Sequence, residues 1–176
     1  MLVDTHCHLD YPVFDADRDE VLDRAGDIVI VNSTVDPDLV EKGLGLAERY
    51  RNVYCTLGVN ASEQDSRIIQ QMITLIRERR SNIVGIGEAG LDYHWVKDEA
   101  GRKAGVENFR RILDLSLEIG LPLVVHSREA ESDCINILRE RKVRAIMHCF
   151  SGTVEEAYSA VELGCCLLYT SPSPRD

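Results

Sequence analysis

Leu2-Val-Asp-Thr-His-Cys-His8 opens the chain with an apolar start that leads into two histidines, two residues apart. Alternate side chains of a β-strand point to the same face, so His6 and His8 lie together, roughly 6.5–7 Å apart along the backbone. Imidazole nitrogens bind zinc at about 2.0–2.1 Å. The stretch therefore predicts a buried strand that ends in a metal-binding pair.

Three further apolar runs end in a potential metal ligand. Ile83-Val-Gly-Ile-Gly-Glu88 ends in a carboxylate, whereas Pro122-Leu-Val-Val-His126 and Ala145-Ile-Met-His148 end in histidines. Any one of these residues could be a hydrogen-bonded core residue, but their shared position after apolar runs favours a common metal site. The predicted metal ligands are His6, His8, Glu88, His126 and His148.

Strand-like runs alternate with amphipathic helical stretches along the chain. The predicted strands cover residues 2–8, 27–33, 53–59, 83–88, 122–127 and 144–150. Five predicted helices have core positions at helical spacing, namely Val40, Leu44 and Ala47; Ile69, Met72, Ile73 and Ile76; Phe109, Ile112, Leu113 and Leu117; Cys134, Ile137 and Leu138; and Val154, Ala157, Tyr158 and Val161. Apolar strands that alternate with helices predict a parallel sheet covered by helices.

A doubly wound sheet and a β/α barrel both satisfy this alternation. The predicted ligands follow the first, fourth, fifth and sixth strands, which would not all meet in one crevice of an open sheet. In a barrel, residues at the C-terminal ends of many strands converge on one site. The predicted fold class is therefore α/β, a TIM (β/α)8-type barrel.

The predicted barrel is incomplete. A closed barrel of this type has eight strands and typically about 250 residues, whereas this chain has 176. Cys165-Cys-Leu-Leu-Tyr169 could begin a seventh strand, but the residues after it lack apolar periodicity and include two prolines. We therefore expect about six to seven of the eight strands, in a partial barrel domain over 1–168, and a non-native or disordered tail over 169–176.

The composition is that of an ordinary globular protein, with 44% hydrophobic and 28% charged residues. No apolar run approaches the roughly 20 residues of a membrane span, and no obligate protein partner is indicated. The six cysteines form no C-x-x-C pair, so a reduced, cytoplasmic setting is expected. The net charge of −10 opposes an extended phosphate-binding face, but it allows a single phosphate to be held through metal ions.

Four multi-residue blocks contain the predicted ligands. In chain order they are Asp4-Thr-His-Cys-His-Leu-Asp10, Gly85-Ile-Gly-Glu-Ala-Gly-Leu-Asp-Tyr-His94, Val125-His-Ser-Arg128 and Met147-His-Cys-Phe-Ser-Gly152. Together they resemble the TatD-type metal-dependent deoxyribonuclease family, with a C-terminal truncation. The resemblance implies a TIM-barrel hydrolase that cleaves phosphodiester bonds, typically in DNA, with two divalent metal ions and metal-activated water.

By position, the resemblance implies that His6 and His8 hold one metal ion. His126 and His148 would hold a second ion, and Glu88 would bridge the two. Mixed imidazole and carboxylate ligands suit zinc, manganese, cobalt or iron, and magnesium is a candidate although it prefers more oxygen. An aspartate that the family carries after its eighth strand has no counterpart here. The catalytic residues are therefore unknown, and this chain is expected to be weak or inactive.

Two residues are predicted to contact the substrate, which is DNA or another phosphodiester. Arg128 lies two positions after His126 and could bind a phosphate through a bidentate pair of hydrogen bonds from its guanidinium. Asn60, within Gly58-Val-Asn-Ala61, stands where many relatives carry the first histidine of a Gly-x-His-Pro-His block associated with the substrate phosphate. An asparagine still donates a hydrogen bond but carries no charge, so the preferred substrate is expected to depend on this departure from the family pattern.

Other polar and aromatic residues near the predicted ligands allow two interpretations each. Asp4 could support a metal-binding imidazole or be a polar residue of the core. Asp92 and His94 fit a role in lining the site, and Asp92 also fits turn formation. Tyr93 and Trp95 could stack on a base, but packing over the barrel mouth is the simpler expectation.

Three alternatives to a phosphodiesterase follow from the same motifs. Amidohydrolase-like barrels also open with H-x-H, but often bridge their metals with a modified lysine where this chain has Glu88. Histidinol-phosphatase-like phosphoesterases open similarly and differ in the later blocks. The remaining alternative is an inactive, truncated metal-binding fragment.

Overall fold

The computed structural model describes residues 2–168, in which seven strands alternate with helices. The strands are β1 (Val3–Cys7), β2 (Val29–Thr34), β3 (Val53–Leu57), β4 (Gly85–Asp92), β5 (Leu123–Arg128), β6 (Ala145–Met147) and β7 (Cys166–Leu167). The helices are α1 (Arg18–Ala25), α2 (Val40–Arg49), α3 (Ser66–Glu78), α4 (Glu99–Ile119), α5 (Glu131–Glu140) and α6 (Val154–Glu162). Each strand pairs in parallel with the next, in the order β1 to β7.

The sheet curls into an incomplete (β/α) barrel. A flat sheet would hold β1 and β6 about 24 Å apart, because five strand spacings of about 4.8 Å separate them. Instead, the ring of His6 on β1 stacks on the ring of His148, which follows β6, with ring centroids 4.1 Å apart. The predicted barrel is confirmed, and the doubly wound alternative is wrong.

The main core lies between the sheet and the outer helices. The apolar face of α3 is buried as predicted, with Ile69, Met72, Ile73 and Ile76 packed against β3 and β4 residues such as Leu57. A smaller cluster between α1 and β2 contains Leu22. Helix α1 is absent from the predicted helices, because Leu22 is its buried residue and one residue gives no apolar stripe.

Two predicted helix faces differ from the structure. Leu117 of α4 is 41% exposed, and Val154, Tyr158 and Val161 of α6 are each more than half exposed, so these four core predictions are wrong. Ala160 is the buried residue of α6 instead. Helical periodicity identifies an apolar face but not the element that covers it. None of the helices within residues 2–168 combines the length and the hydrophobicity of a transmembrane segment.

The strand ends also differ from prediction. Strand β4 continues four residues beyond Glu88 to Asp92, and β5 continues past His126 to Arg128. These two predicted ligands therefore lie within strands rather than at their ends. The interior of a barrel near the C-terminal ends of its strands can hold such polar side chains. His148 directly follows the short strand β6. Residues 169–176, predicted to be a tail, lie outside the described residues.

Helix α4 offers a matched test of the observed core. Leu113 is 1% exposed and Leu117 is 41% exposed, so the same substitution at the two positions compares a buried site with a surface site. We expect Leu113→Ala to lower the free energy of unfolding by about 2–5 kcal/mol, and Leu117→Ala to lower it by less than about 1 kcal/mol. Urea denaturation followed by circular dichroism measures both. Equal losses would contradict the placement of α4.

Candidate metal centre

Close backbone packing places Glu88 inside the barrel. A Cβ atom on Gly58 would lie 2.1 Å from the Glu88 carbonyl oxygen, and one on Gly87 would lie 2.6 Å from the carbonyl oxygen of Val124. Gly87 also has a φ of +137°, which L side chains rarely adopt. Glycine at these two positions lets β3, β4 and β5 meet closely around the Glu88 backbone, and its side chain projects into the interior.

The two carboxylate oxygens of Glu88 each face a different pair of imidazoles. Oε2 lies 3.2 Å from Nε2 of His6 and 3.5 Å from Nε2 of His8. Oε1 lies 2.8 Å from Nδ1 of His126 and 3.2 Å from Nε2 of His148. The structure thus brings all five predicted ligands together. Among the described residues, two three-residue groups that share Glu88 could each hold a metal ion.

Hydrogen bonds fix which nitrogen of two rings carries a proton. Nδ1 of His8 lies 2.6 Å from the carbonyl oxygen of Ser33, which can only accept, so Nδ1 donates. Nε2 of His126 lies 2.9 Å from Oδ2 of Asp92 and donates to that carboxylate. In the neutral rings, the lone pairs of His8 Nε2 and His126 Nδ1 therefore face Glu88.

This arrangement fits bound cations. A nitrogen lone pair beside a carboxylate oxygen is repulsive unless a proton or a metal ion lies between them. His126 Nδ1 also lies 3.1 Å from Nε2 of His148, and the buried ring nitrogens of His6 have no hydrogen-bond partner among the described residues. Unprotonated imidazole nitrogens around an ionised carboxylate are the ligands that zinc and manganese accept. The donor set fits divalent metal ions.

Electrostatics keep the carboxylate ionised. Burial raises the pKa of Glu88, but its four imidazole partners outweigh burial and hold that pKa far below its usual value. Burial lowers the pKa of His8 and of His126, yet the Glu88 carboxylate raises both above the usual histidine value. His148 differs, because burial and the neighbouring rings keep its pKa below that value despite Glu88. The centre thus holds a buried negative charge that attracts cations.

A family model described as TatD related DNase matches residues 3–172 of the sequence. The chain belongs to the TatD-related DNase family. The family resemblance inferred from the sequence is confirmed.

Relatives of this TatD-related chain occur in bacteria, archaea and animals. It is 32% identical to the uncharacterized metal-dependent hydrolase YabD of Bacillus subtilis, over 98% of this chain and 69% of YabD. It is 38% identical to the uncharacterized metal-dependent hydrolase MJ1582 of Methanocaldococcus jannaschii, over 88% and 61%. The deoxyribonuclease TATDN3 of Homo sapiens is 31% identical over 93% and 65%. The chain thus spans about two thirds of the length of these relatives.

A solved structure supports the same assignment. The crystal structure of YjjV, a TatD homologue from Escherichia coli K12, superposes with a TM-score of 0.83 at 26% identity. The match covers 94% of this chain and 66% of YjjV. The sequence comparison and the structural comparison therefore indicate the same family and the same barrel fold.

Asp92 has both of the roles considered for it in this TatD-related chain. It is buried at the end of β4. Oδ2 accepts the hydrogen bond from Nε2 of His126, and Oδ1 accepts one from the backbone N–H of Trp95 at 3.0 Å. One carboxylate thus orients an imidazole and shapes the turn that follows.

Asp4 and His94 lie outside the centre. Asp4 is exposed, and its Oδ1 accepts a hydrogen bond from the backbone N–H of His6 at 3.2 Å, so it neither contacts an imidazole ring nor belongs to the core. Nδ1 of His94 lies 2.8 Å from Oε1 of Glu129 at the exposed surface. The structure gives these two residues no contact with the metal centre.

The two aromatic residues after Asp92 behave differently from each other. The hydroxyl of Tyr93 donates to Oδ2 of Asp133 at 2.5 Å, and the guanidinium of Arg102 lies 4.3 Å from its ring centroid. Trp95 is 68% exposed, so the expectation that it packs over the barrel mouth is wrong.

The two predicted substrate-binding residues are exposed. Arg128 ends β5, and its guanidinium has no hydrogen-bond partner within residues 2–168. Asn60 lies in the loop after β3, where its Oδ1 accepts hydrogen bonds from the N–H and O–H of Ser62, which leaves the amide Nδ2 available to donate. Both side chains can therefore reach a ligand without breaking a strong contact.

Sequence reasoning missed Tyr11 and Ser33. The ring of Tyr11 stacks on His8 with centroids 4.9 Å apart and lines a cleft of about 490 Å³ with Asn60 and Leu39. Ser33 acts through its backbone carbonyl. A signal for Tyr11 was its place three residues after the histidine pair, whereas a backbone contact leaves no mark in the sequence.

Asp92→Asn tests how the imidazole is oriented. The amide oxygen can still accept from Trp95, but an amide beside Nε2 no longer supplies the carboxylate that fixes the His126 ring. We expect the affinity for zinc or manganese to fall 10–100-fold, measured by isothermal titration calorimetry. Asp133→Asn is the control, since Asp133 is exposed and contacts the Tyr93 hydroxyl instead of a ring of the centre. Equal metal affinity in the two variants would contradict the orienting role.

Proposed function

We propose that this chain carries the metal centre of a two-metal phosphodiesterase that acts on DNA. The observation that carries the proposal is the position of Glu88, whose two oxygens each face a separate pair of imidazoles. A single ion would need only one pair of imidazoles with one carboxylate oxygen. A carboxylate shared by two such pairs has the arrangement of a ligand that bridges two ions.

In this proposal, His6 and His8 would hold the first ion with Oε2 of Glu88. His126 and His148 would hold the second ion with Oε1. Zinc, manganese or cobalt suits these donors best, and magnesium remains a candidate. When bound, two such ions supply Lewis-acid stabilisation of phosphoryl charge and a nucleophile derived from water.

The chain's own residues prepare the ligands. The carbonyl of Ser33 and the carboxylate of Asp92 hold the ring protons of His8 and His126 on the side away from Glu88. In its neutral form, each ring therefore presents an unprotonated nitrogen to Glu88. Such supporting hydrogen bonds orient metal ligands and raise their basicity.

The charges of the side chains around the site indicate which part of the substrate each would contact. Arg128 offers an unpartnered guanidinium for a phosphate of the substrate, and Asn60 offers an amide donor. The cleft beside Tyr11 is lined by Asp36 and Glu63 and, among the described residues, by no cation. Its acidic and apolar lining suits the sugar and base of a nucleotide rather than a phosphate, and Tyr11 provides a ring for stacking.

DNA is proposed over the alternatives for two reasons. The human relative TATDN3 is named a deoxyribonuclease. A carboxylate at the bridging position also differs from the modified lysine common in amidohydrolase-like barrels. We further propose a cytoplasmic location, because buried thiols such as Cys55 and Cys134 are free. Faster hydrolysis of a phosphomonoester or a carboxylic ester than of DNA would favour the histidinol-phosphatase-like or amidohydrolase-like alternative.

Glu88→Gln tests the bridging assignment. The amide keeps the shape of the side chain but removes the charge that both metal groups share. We expect the metal content to fall from two ions per chain to one or none, measured by inductively coupled plasma mass spectrometry. Any hydrolysis of a labelled oligonucleotide should fall by about 100-fold or more.

Glu118→Gln is the matched control for that experiment. Glu118 is a carboxylate on the outer surface of α4, paired with Arg77 at 2.7 Å. Its loss should leave the metal content unchanged. Two ions per chain in Glu88→Gln would exclude Glu88 as the bridge.

Arg128→Gln tests substrate binding separately from metal binding. A charge-assisted hydrogen bond contributes about 1.5–3 kcal/mol, so kcat/KM for an oligonucleotide should fall roughly 10–100-fold at unchanged metal content. Arg67→Gln is the control, since it removes an exposed positive charge that is already paired with Asp65. A fall in metal content, or the same kinetic loss in the control, would contradict a phosphate contact by Arg128.

A further inference from the structure

A second charged feature lies on the opposite face of the barrel. A cleft of about 570 Å³ opens where α5 and α6 end and where β6 and β7 begin. The metal ligand His148 follows the other end of β6, about 10 Å along the strand. The lining includes four cations and one carboxylate, which are Arg139, Arg141, Lys142, Arg144 and Glu162.

The positive charge in this basic cleft is mostly unneutralised. Lys142 has no ion pair within residues 2–168, and the guanidinium of Arg144 donates a long hydrogen bond, of 3.5 Å, to the carbonyl oxygen of Gly120. Arg139 donates to the neutral amide of Asn136. Four cations within six residues contrast with a chain whose net charge is −10.

Nearby carboxylates cancel only part of that charge, since four cations and one carboxylate, Glu162, line the cleft. Glu140 lies within the same run, but its two oxygens pair with Arg110 on α4 at 2.7 and 3.1 Å. Arg141 is the cation of the cleft that forms an ion pair, at 3.2 Å from Asp114. Lys142 and Arg144 are therefore left to attract an anion from solution.

We propose that the basic cleft binds the phosphate backbone of a single nucleic-acid strand. The cleft has no aromatic lining residue among those described, so it would contact the sugar-phosphate backbone rather than the bases, and such contacts are independent of sequence. Residues 141–144 extend over about 10 Å. This length exceeds that of a single phosphate group, so the segment can contact more than one phosphate of a strand. The cleft lies away from the metal centre, so this binding requires neither metal nor cleavage and does not rest on the proposed function.

The test uses the complete 176-residue chain with EDTA at low salt and a fluorescein-labelled oligothymidylate. Fluorescence anisotropy should show that Lys142→Gln/Arg144→Gln binds the strand at least 10-fold more weakly. Each phosphate contact with a single strand contributes about 0.7 to the slope of log K against log salt. The slope should therefore decrease by about 1.4 in this double variant, and by about 0.7 in Lys142→Gln alone.

Arg24→Gln/Arg51→Gln is the control of equal charge change. Both side chains are exposed, and Arg51 precedes β3 on the same face but outside the cleft. This control should weaken binding less than twofold. An equal loss in control and cleft variants, or no loss in either, would overturn the proposal, as would tighter binding of inorganic tripolyphosphate than of the strand. Glu88→Gln should still bind the strand. That result would support the cleft even if the four histidines and Glu88 proved to hold no metal ion.

Discussion

The meeting of four imidazoles around one buried carboxylate is the constraint on which the barrel depends. Strands that would lie about 24 Å apart in a flat sheet must curl until His6 and His148 stack at 4.1 Å. Glycines in β4 and after β3 then allow the backbones to approach closely enough for Glu88 to reach both pairs of rings. The sheet must therefore curve for Glu88 and the four histidines to meet in one site.

The interior beside these ligands is polar, and hydrogen bonds hold it in place. The backbone N–H of Asp10 donates to Oδ1 of Asn32, whose Nδ2 donates to Thr34. These three side chains are fully buried, so each bond lost would cost about 1–3 kcal/mol of desolvation. The network fixes the end of β1 against β2, where the carbonyl of Ser33 holds the ring of His8. The geometry of the centre thus depends on residues that contact no ligand atom.

Sequence patterns predicted the features that repeat along the chain. The alternation of strands and helices, the buried face of α3 and the convergence of the five predicted ligands all follow from periodicity and from the position of polar residues after apolar runs. The exposed residues Val154 and Tyr158 of α6 could not be predicted in this way, because periodicity does not show which element covers a face. The extension of β4 past Glu88, the double role of Asp92 and the stacking of Tyr11 on His8 depend on contacts between distant segments.

Net charge was a weaker guide than the placement of charges. Some of the acidic residues lie on helix surfaces in ion pairs such as Arg77 with Glu118 and Arg110 with Glu140, which have little field beyond about 10 Å at moderate ionic strength. Arg128 at the barrel mouth and Lys142 on the opposite face lack such partners within residues 2–168. An anion that approaches either position meets the local charge rather than the total of −10. An acidic protein can therefore present separate cationic surfaces where its basic residues lack carboxylate partners.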